Sequence, residues 1–162
     1  MRIVISLDSM IENLDTMIES FVAQKKNEHS DAAELSNEDI LELCNSEWLD
    51  YKSLIPPDTI AEEKINAWYD LGHKICILLP SNEEKNYDKK WLKDHYIPYD
   101  ELLDHDSDFS TDADFIITDS KIWQQRGRAL CTLALKAPWI VVDKNWKSEN
   151  DTIDNWIKWT QE

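Results

Sequence analysis

The chain has 162 residues, 42% of them apolar, with only 2 Gly and 5 Pro, which fits one packed domain and excludes a loop-built or low-complexity protein. Seventeen Lys and Arg stand against 33 Asp and Glu, for a net charge of −16. Such a chain does not present the basic face that direct nucleic-acid binding or an anionic membrane surface requires; it favours cationic partners or metal ions.

Arg2 to Leu7 is a short run rich in Ile and Val and reads as a buried strand. Met10, Ile11, Leu14, Met17, Ile18, Phe21 and Val22 then follow a 3.6-residue period, which predicts a helix directly after the strand, with a polar loop over 25–33. Ser36 with Asp39 has the form of a capping box before a short helix through Ile40, Leu43 and Cys44. Pro56-Pro57 breaks the chain. Thr59 with Glu62 is read as the cap of a helix carrying Ala61, Ile65, Trp68 and Tyr69, with Gly72 at its end.

Lys74 to Leu79 is a second apolar strand, followed by a helix over 81–95 through Tyr87, Trp91 and Leu92 and a short strand over 96–99. Asp114 to Thr118 and Trp139 to Val142 are two further strands, separated by a helix over 121–136; a closing helix spans 152–161. Apolar strands alternating with helices predict an α/β domain: a parallel sheet with helices on both faces. The whole of 1–162 is read as one domain, with a small helical cap, about 24–67, inserted after the first strand.

No run of 18 apolar residues exists, so no transmembrane helix is expected, and the opening Met1 to Ser6 does not read as a signal peptide. Cys44, Cys76 and Cys131 are scattered and odd in number, which predicts reduced thiols of a cytoplasmic protein rather than a zinc or disulfide framework. Eight Trp follow no repeat and are assigned mainly to the core. His29, His73, His95 and His105 lack metal-ligand spacing. The acidic loop Asp104 to Asp112 lacks the Gly and Glu of a calcium loop and reads as a solvated surface. The paired Arg126 and Arg128 are assigned to surface ion pairs.

Ligands of parallel α/β sheets bind beyond the carboxyl ends of the strands. At these ends the chain resembles the haloacid dehalogenase-like phosphatases. Arg2-Ile3-Val4-Ile5-Ser6-Leu7-Asp8-Ser9-Met10-Ile11 is similar to their first motif, an apolar strand followed by Asp-x-Asp. Trp91-Leu92 with His95-Tyr96-Ile97-Pro98-Tyr99-Asp100-Glu101-Leu102, and then Phe115-Ile116-Ile117-Thr118-Asp119-Ser120, resemble stretches of the 5'(3')-deoxyribonucleotidase branch. Trp139 to Trp146 is similar to its last strand and loop.

The resemblance implies Mg²⁺, an aspartyl nucleophile and a nucleotide or phosphate ligand. The catalytic positions depart from it. Aligned on Met10-Ile11, Ser6 falls at the nucleophile and Asp8 at the acid/base; in a rival register Asp8 is the nucleophile and Met10 the acid/base. Ser81, one position late, is the candidate for the hydroxyl of the second motif. No Lys or Arg lies between Pro98 and Ser120, where the family carries a lysine. Asp8 and Asp119 are the remaining candidates to hold a metal, so Mg²⁺ binding is expected to be weak or absent.

An aspartyl phosphate is an anhydride that water cleaves, whereas a phosphoserine is an unactivated ester, so a Ser6 nucleophile does not ease both half-reactions. The expectation is a degenerate phosphatase site on a protein that acts by binding or regulation, with a phosphate ligand or a basic protein as partner. The alternatives are an active Mg²⁺-dependent 5'-nucleotidase or phosphomonoesterase, and an acidic mimic that blocks a nucleic-acid-binding protein.

Overall fold

The computed structural model describes residues 1–81, 83–104, 113–119, 139–142 and 146. Five strands, β1 (Arg2–Ser6), β2 (Lys74–Leu78), β3 (Glu101–Leu103), β4 (Phe115–Asp119) and β5 (Trp139–Val142), form one sheet in the order β3-β2-β1-β4-β5. Every pairing is parallel. The chain therefore steps outward from the central β1 in one direction through β2 and β3, then returns to its other side for β4 and β5. The reversal at β1 puts the ends of β1 and β4 side by side at a switch point.

The middle residues of β1, β2 and β4 are apolar because both faces of the sheet are buried there. Ile3, Ile5, Ile75, Ile77 and Ile117 belong to the main core cluster, and the alternating Val4, Cys76, Leu78 and Ile116 to a second one. Four helices fill the connection from β1 to β2: α1 (Leu14–Glu28), α2 (Asn37–Leu43), α3 (Asn45–Ser53) and α4 (Thr59–Asp70). A fifth, α5 (Lys85–Asp94), joins β2 to β3. Phe21, Trp48, Leu49, Ala61, Ile65, Trp68, Trp91 and Leu92 carry α1, α3, α4 and α5 into the main cluster. Each fully buried Ile or Leu contributes about 1.5–3 kcal/mol through the water it gives up. The helices expected over 121–136 and 152–161 lie outside the described residues, as do Cys131, Arg126, Arg128 and most of the acidic loop.

The structure corrects several element boundaries, each for a visible reason. No helix starts at Met10. Leu7–Met10 is a 3₁₀ turn, and the residues after it are tied to the chain before α4: Ile11 bridges Pro57, Glu12 N donates to Pro56 O at 3.0 Å, and Asp58 N donates to Met10 O at 2.7 Å. These bonds hold the backbone extended, so α1 begins only at Leu14. It then runs to Glu28, through residues read as loop, because Lys25 is buried and bonded to Glu28 and Glu47. The α3 helix was not expected from the sequence.

Ser36 does cap α2, its hydroxyl accepting from Asp39 N, but Leu43 is 72% exposed rather than packed. The cap of α4 is Asp58 and not Thr59, since its Oδ1 accepts from Ile60 N and Ala61 N. Gly72, at φ +88°, ends α4 in a Schellman turn: its N–H meets Tyr69 O and that of His73 meets Trp68 O. Residues 96–99 form no strand. Tyr96 takes a left-handed conformation at φ 55° beyond α5, and the edge strand β3 starts at Glu101.

The segment expected as a cap, about 24–67, holds the end of α1, all of α2 and α3, and most of α4. Ala61, Ile65 and Trp68 of α4 lie in the main core. The four described tryptophans outside β5, Trp48, Trp68, Trp91 and Trp146, are all buried. No described helix is long and apolar enough to cross a membrane.

Candidate functional site

Ser6 ends β1, Ser81 follows β2 and Asp119 ends β4, so three of the four residues singled out from the sequence stand at the carboxyl ends of adjacent strands. Asp8, the fourth, sits in the 3₁₀ turn directly beyond β1. The register explains the grouping: Ser6 pairs with Leu78, and Ile5 with Ile117, which makes Thr118 the next residue level with Ser6.

Ser6 and Thr118 are each 1% exposed. Their hydroxyls, and that of Ser81, are buried without a hydrogen-bond partner. Three unsatisfied hydroxyls at one end of a sheet are unusual, since leaving a buried polar group unpaired costs about 1–3 kcal/mol.

The electrostatic centre of the site is a residue that the sequence did not single out. Lys52, at the end of α3, places Nζ 2.9 Å from Asp8 Oδ1 and 3.5 Å from Glu84 Oε2. Its side chain is 9% exposed. Burial alone would push the ammonium toward neutrality, but Asp8, Glu84 and Asp88 outweigh it and hold Lys52 charged well above the ordinary lysine range. The signal in the sequence was faint: Trp48, Leu49 and Lys52 lie on one helical face, the first two buried with it.

Asp88, on α5, is 3% exposed, and its Oδ2 has no hydrogen-bond partner. Burial pushes its carboxyl up to about 7; Lys52 pulls the other way, while Asp8 and Glu84 add to the rise. Lys52 and Asp88 line a cavity of about 10 Å³ together with Leu7, Ile11, Leu49 and Trp91. That is room for about one water molecule.

The walls of this cavity are pinned by indole hydrogen bonds. Trp91 Nε1 donates to Ile55 O at 2.9 Å, which ties α5 to the chain after α3. Trp146 Nε1 donates to Ser9 O at 3.0 Å, and its ring lies 5.9 Å from that of Trp68. The Trp146 bond thus fixes the turn that holds Asp8.

Mg²⁺, implied by the resemblance, does not fit the described residues as they stand. Asp8 already shares its carboxylate with an ammonium. Among the described residues no group of three His, Cys, Asp or Glu is arranged to hold a metal ion. Comparison of the chain with protein-family models, curated proteins and solved structures gives no match.

Proposed function

We propose that this chain is a degenerate relative of the haloacid dehalogenase-like nucleotidases that acts by binding or regulation rather than by phosphate turnover. The observation that carries the reading is Ser6, a buried serine at the end of the central strand where the resemblance implies an aspartate, next to an Asp8 that is paired with Lys52 at 2.9 Å. Phosphoryl transfer depends on placed charge and metal. Here Asp8 spends its charge on Lys52. Glu84 adds negative charge around the same ammonium. Among the described residues, the ammonium beside these carboxylates is Lys52, and it is already paired with Asp8 and Glu84.

The second reading, an active Mg²⁺-dependent phosphomonoesterase with Asp8 as nucleophile, draws support from the same contact, because a lysine beside the nucleophile is what the family resemblance implies. It fails at the next step. Its acid/base position is Met10, a thioether that is 0% exposed and has no proton to give.

The experiment is a phosphatase assay on nucleoside monophosphates and a generic aryl phosphate with Mg²⁺. Activity no greater than the buffer control supports the binding role. Turnover that disappears in Asp8→Asn supports the second reading instead.

A further inference from the structure

Between Lys26 and Lys52 the chain contains no Lys or Arg. Asp31, Glu34, Glu38, Asp39, Glu42 and Asp50 are all exposed along this stretch, and among the described residues none of the six is in an ion pair. Acidic residues in such numbers are ordinarily just a solvated face. This face differs in having a cavity in it. A surface pocket of about 230 Å³ opens where the end of α1 meets the start of α2, with Ala32, Leu35, Ile40 and Leu43 as its apolar lining. Leu43 is 72% exposed, although it sits on the pocket's edge rather than at a chain end. The one ammonium in the wall, Lys25, is already bonded to Glu28 and Glu47 and adds no free positive charge.

We propose that this pocket docks a basic segment of another protein, which inserts one bulky apolar side chain and surrounds it with Lys or Arg. Size and charge together select this occupant. The cavity is below the roughly 300–1,000 Å³ of small-molecule sites, but it suits a single anchoring side chain at the centre of an interface. The surrounding carboxylates supply long-range attraction and orientation for a cationic partner and repel a second copy of this chain, whose net charge is also −16. The proposal deepens the binding half of the functional reading and names its partner. It lies away from Asp8 and Lys52, so a phosphatase assay and a docking assay can fail separately.

The test uses the full chain and a synthetic 16-residue Lys-rich peptide with one central Trp, beside the same peptide with Ala in its place. Fluorescence anisotropy at low and high salt reads the affinity, and amide shifts in an NMR titration read the place. The expected result is binding at least tenfold tighter for the Trp peptide, with shifts centred on Leu35, Ile40 and Leu43. Leu43→Ser, at an exposed position that folding does not depend on, should weaken it at least fivefold. Glu34→Gln with Glu42→Gln should weaken it and flatten its salt dependence. Glu62→Gln with Glu63→Gln, acidic changes on α4, should leave it unchanged. Equal binding of both peptides, equal loss in the α4 control, or no binding by either peptide overturns the proposal. So does a dimer in sedimentation that Leu43→Ser dissolves, which would make a second copy the occupant.

Discussion

The Lys52 ammonium lies 2.9 Å from the Asp8 carboxylate across 44 residues of sequence, and it joins α3 to the turn beyond the central strand. The pair is largely shielded from water, at 9% and 24% side-chain exposure, so it is worth more than a surface ion pair and is costly to break from one side. Lys52→Met would leave Asp8, Glu84 and Asp88 facing one another without their cation. The expected loss is about 2–4 kcal/mol in urea unfolding. Lys52→Arg, which keeps the charge, should lose less than half of that. Equal losses in the two variants would mean that packing, not charge, is what Lys52 supplies.

Asp88 gives the protein a specific pH dependence. Its carboxyl is raised from 3.8 to about 7 in the folded chain, so folding favours its protonated form. That contribution is fully present below about pH 4 and is lost as pH rises through about 7, on the order of 4 kcal/mol in total. Lys52 stays charged throughout this window and does not add to the slope. Asp88→Asn should flatten stability between about pH 4 and 7 and make the protein more stable than wild type at pH 8. An unchanged slope in that variant would place the titrating group elsewhere.

The two ends of α4 offer a check on the local geometry. Asp58→Ala removes the acceptor for two backbone N–H groups and should cost about 1–2 kcal/mol. Gly72→Ala meets no atom within 4 Å but must hold φ near +88°, so its cost of about 1 kcal/mol is conformational alone. The measurement is thermal unfolding of both variants and of Thr59→Ala. A larger loss for Thr59→Ala than for Asp58→Ala would contradict the assignment of the cap.

Mg²⁺ should bind weakly. Asp8 is engaged by Lys52, and two carboxylates hold this ion mainly with help from substrate phosphates and water. Titration calorimetry on wild type, Asp119→Asn and a variant with Asp106→Asn and Asp108→Asn should give affinities on the order of millimolar, about −4 kcal/mol, in all three. Micromolar binding abolished only by Asp119→Asn would establish a working metal centre.

Four of the five strands, β1, β2, β4 and β5, were legible because each is an apolar run leading into polar residues, whereas the short edge strand β3, Glu101–Leu103, was misplaced to 96–99. Ile-Val-Ile before Ser6, Ile-Cys-Ile-Leu before Ser81, and Phe-Ile-Ile before Thr118-Asp119 mark both the sheet and the residues at its end. What local pattern could not reveal were contacts made over long separations. Met10 to Glu12 have helical spacing, yet their backbone is held by Pro56, Pro57 and Asp58. Lys52 is one lysine among several by sequence, and only the packing of Trp48 and Leu49 carries it to Asp8. The Asp88 environment is a product of the same packing, since α5, α3 and the turn after β1 come together only in the folded chain.

The most direct test of the central claim is the rate of Mg²⁺-dependent hydrolysis of deoxynucleoside monophosphates by the purified full chain, measured beside Asp8→Asn. The account predicts that wild type and variant both match the buffer control. Robust turnover by the wild type that Asp8→Asn abolishes would contradict it and make this a working phosphatase.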